Sequence, residues 1–209
     1  MRRARKQNPR RELERSIFVT TEAKLDLPSQ TLEGSDIAVH AVLEKAKAQV
    51  GFIPNMYANM VNSPGVLETY LDGYARFRSD STLTPVEQEV VFLVISVSNG
   101  CGYCTAAHSM IAEKMSKVPA DVLKALRLRE PIADARLAAL AKFTQVMFDT
   151  RGRPSQADLN SFRAAGFSDR QALEIVLALA VKTLSNYSNH LFHTEVDGMF
   201  AEYKVAPAA

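Results

Sequence analysis

The chain of 209 residues is 47% apolar with a formal net charge of +2, enough for one hydrophobic core that needs no covalent staples. Its two cysteines fall in one four-residue window, which excludes the long-range disulfide framework of a small secreted protein. A local, reversible thiol pair in a reducing, cytoplasmic setting fits better. The longest stretch free of Asp, Glu, Lys and Arg runs from Val90 to Ala112; Asn99, Gly100, Gly102 and His108 interrupt it, so it reads as two buried helices joined by a turn and not as a membrane span.

Met1 to Ser16 carries seven Arg or Lys against Glu12 and Glu14. Such a basic segment could touch nucleic acid or anionic lipid, but a solvated extension is the simpler reading, with neither nucleic acid nor membrane expected as a partner. Arg2-Arg3 is followed by no apolar signal region before Ile17-Phe18-Val19, so export is not expected. The chain divides into a basic, disordered or extended tail over 1–17 and a single all-helical domain over 18–209.

Phe18 to Gln30 has no helical period and reads as an extended lead. Asp36 then caps a helix in which Ile37, Val39, Val42, Leu43 and Ala46 recur at three- and four-residue steps, ending near Gly51. Pro54-Asn55 restarts a short helix through Met56, Met60 and Val61. Ser63-Pro64 opens another, with Arg76 and Arg78 near its end, where cations suit the helix dipole. Thr84-Pro85-Val86-Glu87 combines a capping residue, a proline at the first helical position and a carboxylate at the third, a strong start for a helix to about Ser98. Asn99-Gly100 is a left-handed stop. The next helix runs from about Gly102 to about Lys117, with the cysteines at its first turn. Pro119 starts a short helix to about Leu126, Ala133 to about Thr150 reads as a long amphipathic one, and Ser155 caps a helix to Ala165. Ser168 caps the last long helix, to about His190, with Leu173, Val176, Leu177, Ala180, Val181 and Leu184 inward; a tail helix to Tyr203 follows. No segment alternates at period two, so the fold class is all-α.

In Cys101-Gly102-Tyr103-Cys104, the two-residue spacer at a helix start lets the sulfurs approach bonding distance, and the unpaired amides and dipole there favour a thiolate. His108, four residues after Cys104, shares its face and can take the thiol proton or pair with the thiolate. Glu89 falls on the apolar stripe of Val86, Val90, Leu93 and Val97, where a carboxylate must be paired; orienting and charging His108 would satisfy it, and a capping-turn role is the alternative. The cysteines could instead be an inert buried pair, or zinc ligands with His108 and one of His190, His193 or Glu89, although one Cys-x-x-Cys is a weak zinc signal. His40 reads as a surface residue. The dipole favours Cys101 as the reactive thiol and the histidine spacing favours Cys104; an apposed base outweighs a dipole effect of about 0.3–1 kcal/mol, so Cys104 is the expected nucleophile.

Glu89, eleven residues, the Cys101-Gly102-Tyr103-Cys104 run, three more and His108 form a pattern that resembles the alkylhydroperoxidase D (AhpD)-like, peroxidase-related branch of the carboxymuconolactone decarboxylase family. Gly51-Phe52-Ile53-Pro54-Asn55-Met56, Ser63-Pro64 and Tyr187-Ser188-Asn189-His190 look like the same branch, so the similarity spans roughly Phe18 to Gly198. The resemblance implies an AhpD-like helical fold built from helix-turn-helix units, a homo-oligomer (trimer or hexamer), and reduction of hydroperoxides without haem or metal. Cys104 would be the peroxidatic thiol, Cys101 the resolving one, and His108 and Glu89 the proton relay, with protonated His108 assisting the leaving oxygen. Tyr103 stands where the best-known members have histidine, so a second imidazole is missing from the relay. No resident cofactor is implied; an external dithiol, such as a lipoyl or thioredoxin-like protein, would reopen the disulfide. The competing readings are a lyase or isomerase of the decarboxylase type, using His108 and Glu89 as acid and base, and a redox sensor or interaction protein whose disulfide switches an interface.

Overall fold

The computed structural model describes residues 22–204 and is all-helical over that range, with no strand among the described residues. The helices in chain order are α1 (Ile37–Val50), α2 (Asn55–Met60), α3 (Pro64–Asp80), α4 (Pro85–Ser98), α5 (Gly102–Lys114), α6 (Ala120–Leu128), α7 (Ala135–Asp149), α8 (Gln156–Ala164) and α9 (Asp169–Phe192), followed by a 3₁₀ helix over Gly198–Tyr203. The basic segment lies outside the described residues. The lead from Glu22 to Gln30 is extended and is held by Leu25 N–H donating to the Leu191 carbonyl (2.8 Å) and Gln30 N–H to that of Ala58 (2.9 Å).

α4 is the axis of the fold. Val90, Val91, Phe92 and Leu93 have no exposed surface on any side, the signature of a helix covered all round; full burial of each such side chain contributes about 1.5–3 kcal/mol. α5 and α7 pack along α4, α9 crosses both α3 and α4, and the 3₁₀ helix closes over α5. The capping box expected at Thr84 and Glu87 is present, with Glu87 N–H donating to Thr84 Oγ1 (3.3 Å) and Thr84 N–H to Glu87 Oε2 (2.8 Å). It fixes the register of α4 and thereby the inward aim of Glu89.

Four boundaries differ from the sequence reading by two residues or more, among them the end of α9 at Phe192 and not at His190. α5 ends at Lys114 and not at Lys117, because Lys117 takes a left-handed conformation (φ 58°) that breaks the helix. α6 runs on to Leu128 and stops where Arg129 is left-handed (φ 57°). α7 starts at Ala135, after Asp134 caps the Leu137 N–H at 2.8 Å.

The larger correction concerns α9. Leu173 is 72% and Val176 46% exposed, and Ala180 is exposed, whereas Ile175, Ala178, Val181, Lys182, Ser185, Asn186 and Asn189 are buried. The helix turns a mixed, partly polar face inward and leaves an apolar strip outside. At Gly73 on α3 a side chain would have its Cβ 2.9 Å from Val181 Cγ2, so the glycine permits the close approach that seats this polar face over the core.

Candidate functional site

The turn between α4 and α5 sets the cysteine pair. Gly100 adopts φ 68°, which glycine allows at no steric cost, and the chain reverses so that Cys101 N–H donates to the Ser96 carbonyl (2.9 Å). Cys101 takes the N-cap position of α5, and Cys104 lies within the first turn. Both are free thiols, buried under α9. Asn189 Nδ2 donates to Cys104 Sγ at 3.3 Å and reaches Cys101 Sγ at 3.8 Å and Met56 Sδ at 3.2 Å. Ser185 Oγ lies 3.8 Å from Cys104 Sγ.

Glu89, with no exposed surface, meets His108 as the sequence reading requires: Glu89 Oε2 accepts from His108 Nδ1 at 2.9 Å. Its other oxygen is bound by Arg78 Nη2, whose guanidinium also donates to Tyr74 OH (2.9 Å) and Gln88 Oε1 (3.1 Å) and lies over the Tyr74 and Phe92 rings. Burial works against the Glu89 carboxylate, but His108 and Arg78 outweigh it and hold the carboxyl below its ordinary value. His108 behaves differently from the expectation. Burial, reinforced by the charge of Lys182, pushes its pKa down to about 4 against the pull of Glu89. Glu89 therefore orients a neutral imidazole with its Nδ1–H donated inward, leaving Nε2 as an acceptor; it does not charge it.

Lys182 went unnoticed in the sequence. It is 1% exposed, makes no ion pair among the described residues, and places its Nζ 5.4 Å from the centroid of the Phe92 ring. Its charge acts on the thiols. Burial disfavours a Cys104 thiolate, but the adjacent Cys101 thiol, Lys182, His108 and Ser185 together bring the Cys104 pKa well below the usual thiol range. Cys101 goes the other way, raised by its hydrogen bond with Cys104 and then by burial. The asymmetry favours Cys104 as the thiolate. The available signal was the spacing of Lys182, Ser185 and Asn189 at three and four residues, a polar stripe on one helical face; the apolar strip beside it drew the reading to the wrong side.

A cavity of about 660 Å³ opens onto Cys104, His108, Arg78 and Lys182, walled by Met56, Tyr57, Tyr70, Tyr74, Met110 and Phe200 among others. Tyr103 borders it but turns its hydroxyl to Asp197 Oδ2 (2.5 Å), where Asp197 also accepts from Asn55 N–H (3.1 Å). Tyr103 ties α5 to the chain end and presents no free hydroxyl to the thiols. His190 and His193 lie with Cys101 on a separate, polar cavity, away from His108. Among the described residues, no three or more His, Cys, Asp or Glu side chains are grouped to hold a metal ion. No described helix is long and apolar enough to cross a membrane, and His40 is exposed.

The family model described as the carboxymuconolactone decarboxylase family matches residues 64–145, a span holding Arg78, Glu89, both cysteines and His108. None of the curated proteins matches the chain. Among solved structures, a peroxidase-related protein from Ralstonia eutropha JMP134, an alkylhydroperoxidase AhpD core, superposes with a TM-score of 0.71 over 83% of this chain and 93% of that one, at 23% identity. A peroxidase-related protein from Silicibacter sp. TM1040 gives 0.68 over 86% and 94%, also at 23% identity. The debrominase Bmp8, as a cysteine-to-alanine variant in complex with 2,3,4-tribromopyrrole, gives 0.68 over 86% and 97%, at 15% identity. Residues 64–145 thus resemble the carboxymuconolactone decarboxylase family, and the chain carries the alkylhydroperoxidase D-like helical fold.

Proposed function

We propose that the protein is a thiol-dependent peroxidase that reduces hydroperoxides through Cys104 and Cys101. The observation that carries this reading is the geometry around Cys104: its sulfur lines the cavity together with His108, accepts from Asn189 Nδ2 at 3.3 Å, and has the second thiol, Cys101, at the N-cap of the same helix. The Cys104 thiolate attacks the distal peroxide oxygen, the O–O bond breaks, and Cys104 becomes a sulfenic acid. The departing oxygen takes up a proton from solvent, relayed through the neutral His108 at Nε2, and leaves as an alcohol or water. Cys101 then displaces water from the sulfenic acid and closes the disulfide, and an external dithiol reopens it. The aromatic and methionine walls favour an apolar organic hydroperoxide over hydrogen peroxide.

The exposed strip of Leu173, Val176, Tyr187 and Leu191 on α9 supports a homo-oligomer, and free thiols suit a cytoplasmic setting. A second reading takes the same thiolate as the nucleophile of a reductive dehalogenase: the aromatic walls and the two cations, Arg78 and Lys182, suit a halogenated aromatic anion. A decarboxylase-like lyase leaves the tuned cysteine pair without a role.

Steady-state assays separate these readings. With excess dithiothreitol the protein consumes many equivalents of cumene hydroperoxide, and Cys104→Ser or Cys101→Ser abolishes turnover. A redox sensor stops after one equivalent, and a dehalogenase releases bromide from a brominated phenol while leaving the hydroperoxide.

A further inference from the structure

The two sulfurs lie on different cavities. Cys104 lines the apolar one of about 660 Å³, while Cys101 lines a second, polar one of about 350 Å³ with Gly102, Asn189, His190, His193 and Lys204. Tyr103 borders both, and with its hydroxyl fixed on Asp197 it forms the wall between them. Neither histidine of the polar cavity belongs to the relay around His108.

We propose that the polar cavity is the entry site for the reductant, a dithiol that attacks Cys101 from a cavity separate from the one that takes the hydroperoxide. This inference rests on the redox pair proposed above. In the oxidised protein the incoming thiol loses its proton to an imidazole of His190 or His193, and its thiolate forms a bond to Cys101 Sγ. The Cys101–Cys104 bond breaks, and the electron pair leaves on Cys104. The reductant's second thiol then attacks its own sulfur in the mixed disulfide, closes the reductant's internal disulfide and releases Cys101, which takes up a proton. One disulfide and one dithiol become two protein thiols and one oxidised reductant.

Two features support this direction. Exchange is faster when the leaving thiol is the more acidic, and Asn189, Ser185 and Lys182 all stabilise Cys104. Cys101 is 1% exposed, and the polar cavity is the one its side chain lines. Separate entries also allow an apolar hydroperoxide and a polar dithiol to be accommodated without competing for one surface.

The test uses protein oxidised with diamide, so that the disulfide exists even if hydroperoxide never forms it. Gly102 lines the polar cavity, a side chain there would find no atom within 4 Å of its Cβ, and the backbone is not left-handed, so Gly102→Phe adds bulk at the cavity without strain. Reduction of the oxidised Gly102→Phe variant by dithiothreitol should be slower than wild type by about tenfold or more. Independently, oxidised wild type mixed briefly with 2-mercaptoethanol and quenched with N-ethylmaleimide should carry the mercaptoethanol on Cys101 and the maleimide on Cys104, as located by tandem mass spectrometry. Undiminished reduction of Gly102→Phe, or the adduct on Cys104, would overturn the proposal. Failure of hydroperoxide to oxidise wild type would count against the peroxidase reading alone.

Discussion

At the scale of single residues, the site is governed by a lysine. A buried ammonium without a carboxylate partner costs stability, and the fold tolerates Lys182 beside Phe92 and Cys104 because its charge has a use there. Replacing it with methionine keeps the volume and removes the charge. Lys182→Met should raise the pH midpoint for Cys104 alkylation by iodoacetamide by about one unit or more and leave the urea midpoint unchanged or higher. An unshifted alkylation midpoint would show that Lys182 does not hold the thiolate. Glu89, Cys101, Cys104 and His108 were legible in the sequence because they lie close together along the chain, on one turn and its two flanking helices. Lys182, Ser185 and Asn189 come from a helix some eighty residues further on, and nothing local marks them as facing the thiols.

At the scale of elements, local chemistry wrote most of the boundaries. Asp36, Thr84, Ser155 and Ser168 each cap the helix that follows them, with the side chain accepting an N–H of the first turn. The ends that escaped notice are those where an ordinary residue is left-handed: Lys117 and Arg129 carry no glycine-like signature, and their conformation turns the next N–H back onto the helix end, Val118 N–H to the Ala112 carbonyl (2.8 Å) and Glu130 N–H to that of Ala125 (2.8 Å). The orientation of α9 escaped for a related reason. Periodicity identifies an apolar face but does not say whether the chain's own core or another surface covers it. Leu173 and Val176 form as regular a stripe as any core face, yet they point outward, and the inward stripe is the polar one that completes the site.

At the scale of the whole molecule, burying this site makes stability depend on pH. His108 has a folded pKa of about 4 against an ordinary value near 6.5. Its contribution is fully present above the ordinary value and is lost as pH falls toward the folded one, because the unfolded chain takes up a proton that the folded chain refuses; the loss is on the order of 3 kcal/mol. Cys104 and Glu89, both depressed, act with the same sign, Cys104 from the thiol range downward and Glu89 below the carboxyl range. Urea unfolding should show stability falling between pH 6.5 and pH 4.5, more steeply in wild type than in His108→Asn, which keeps a donor to Glu89 but cannot titrate. Equal slopes would mean that His108 is not held neutral.

The central claim, that Cys104 is oxidised first and Cys101 resolves it, is tested most directly by intact mass after one equivalent of cumene hydroperoxide. Wild type should lose the mass of two hydrogens. Cys101→Ser should gain one oxygen and react with dimedone, and Cys104→Ser should remain unchanged. An unreacted Cys101→Ser beside an oxidised Cys104→Ser would reverse the roles of the two thiols, and a wild type of unchanged mass would contradict the account.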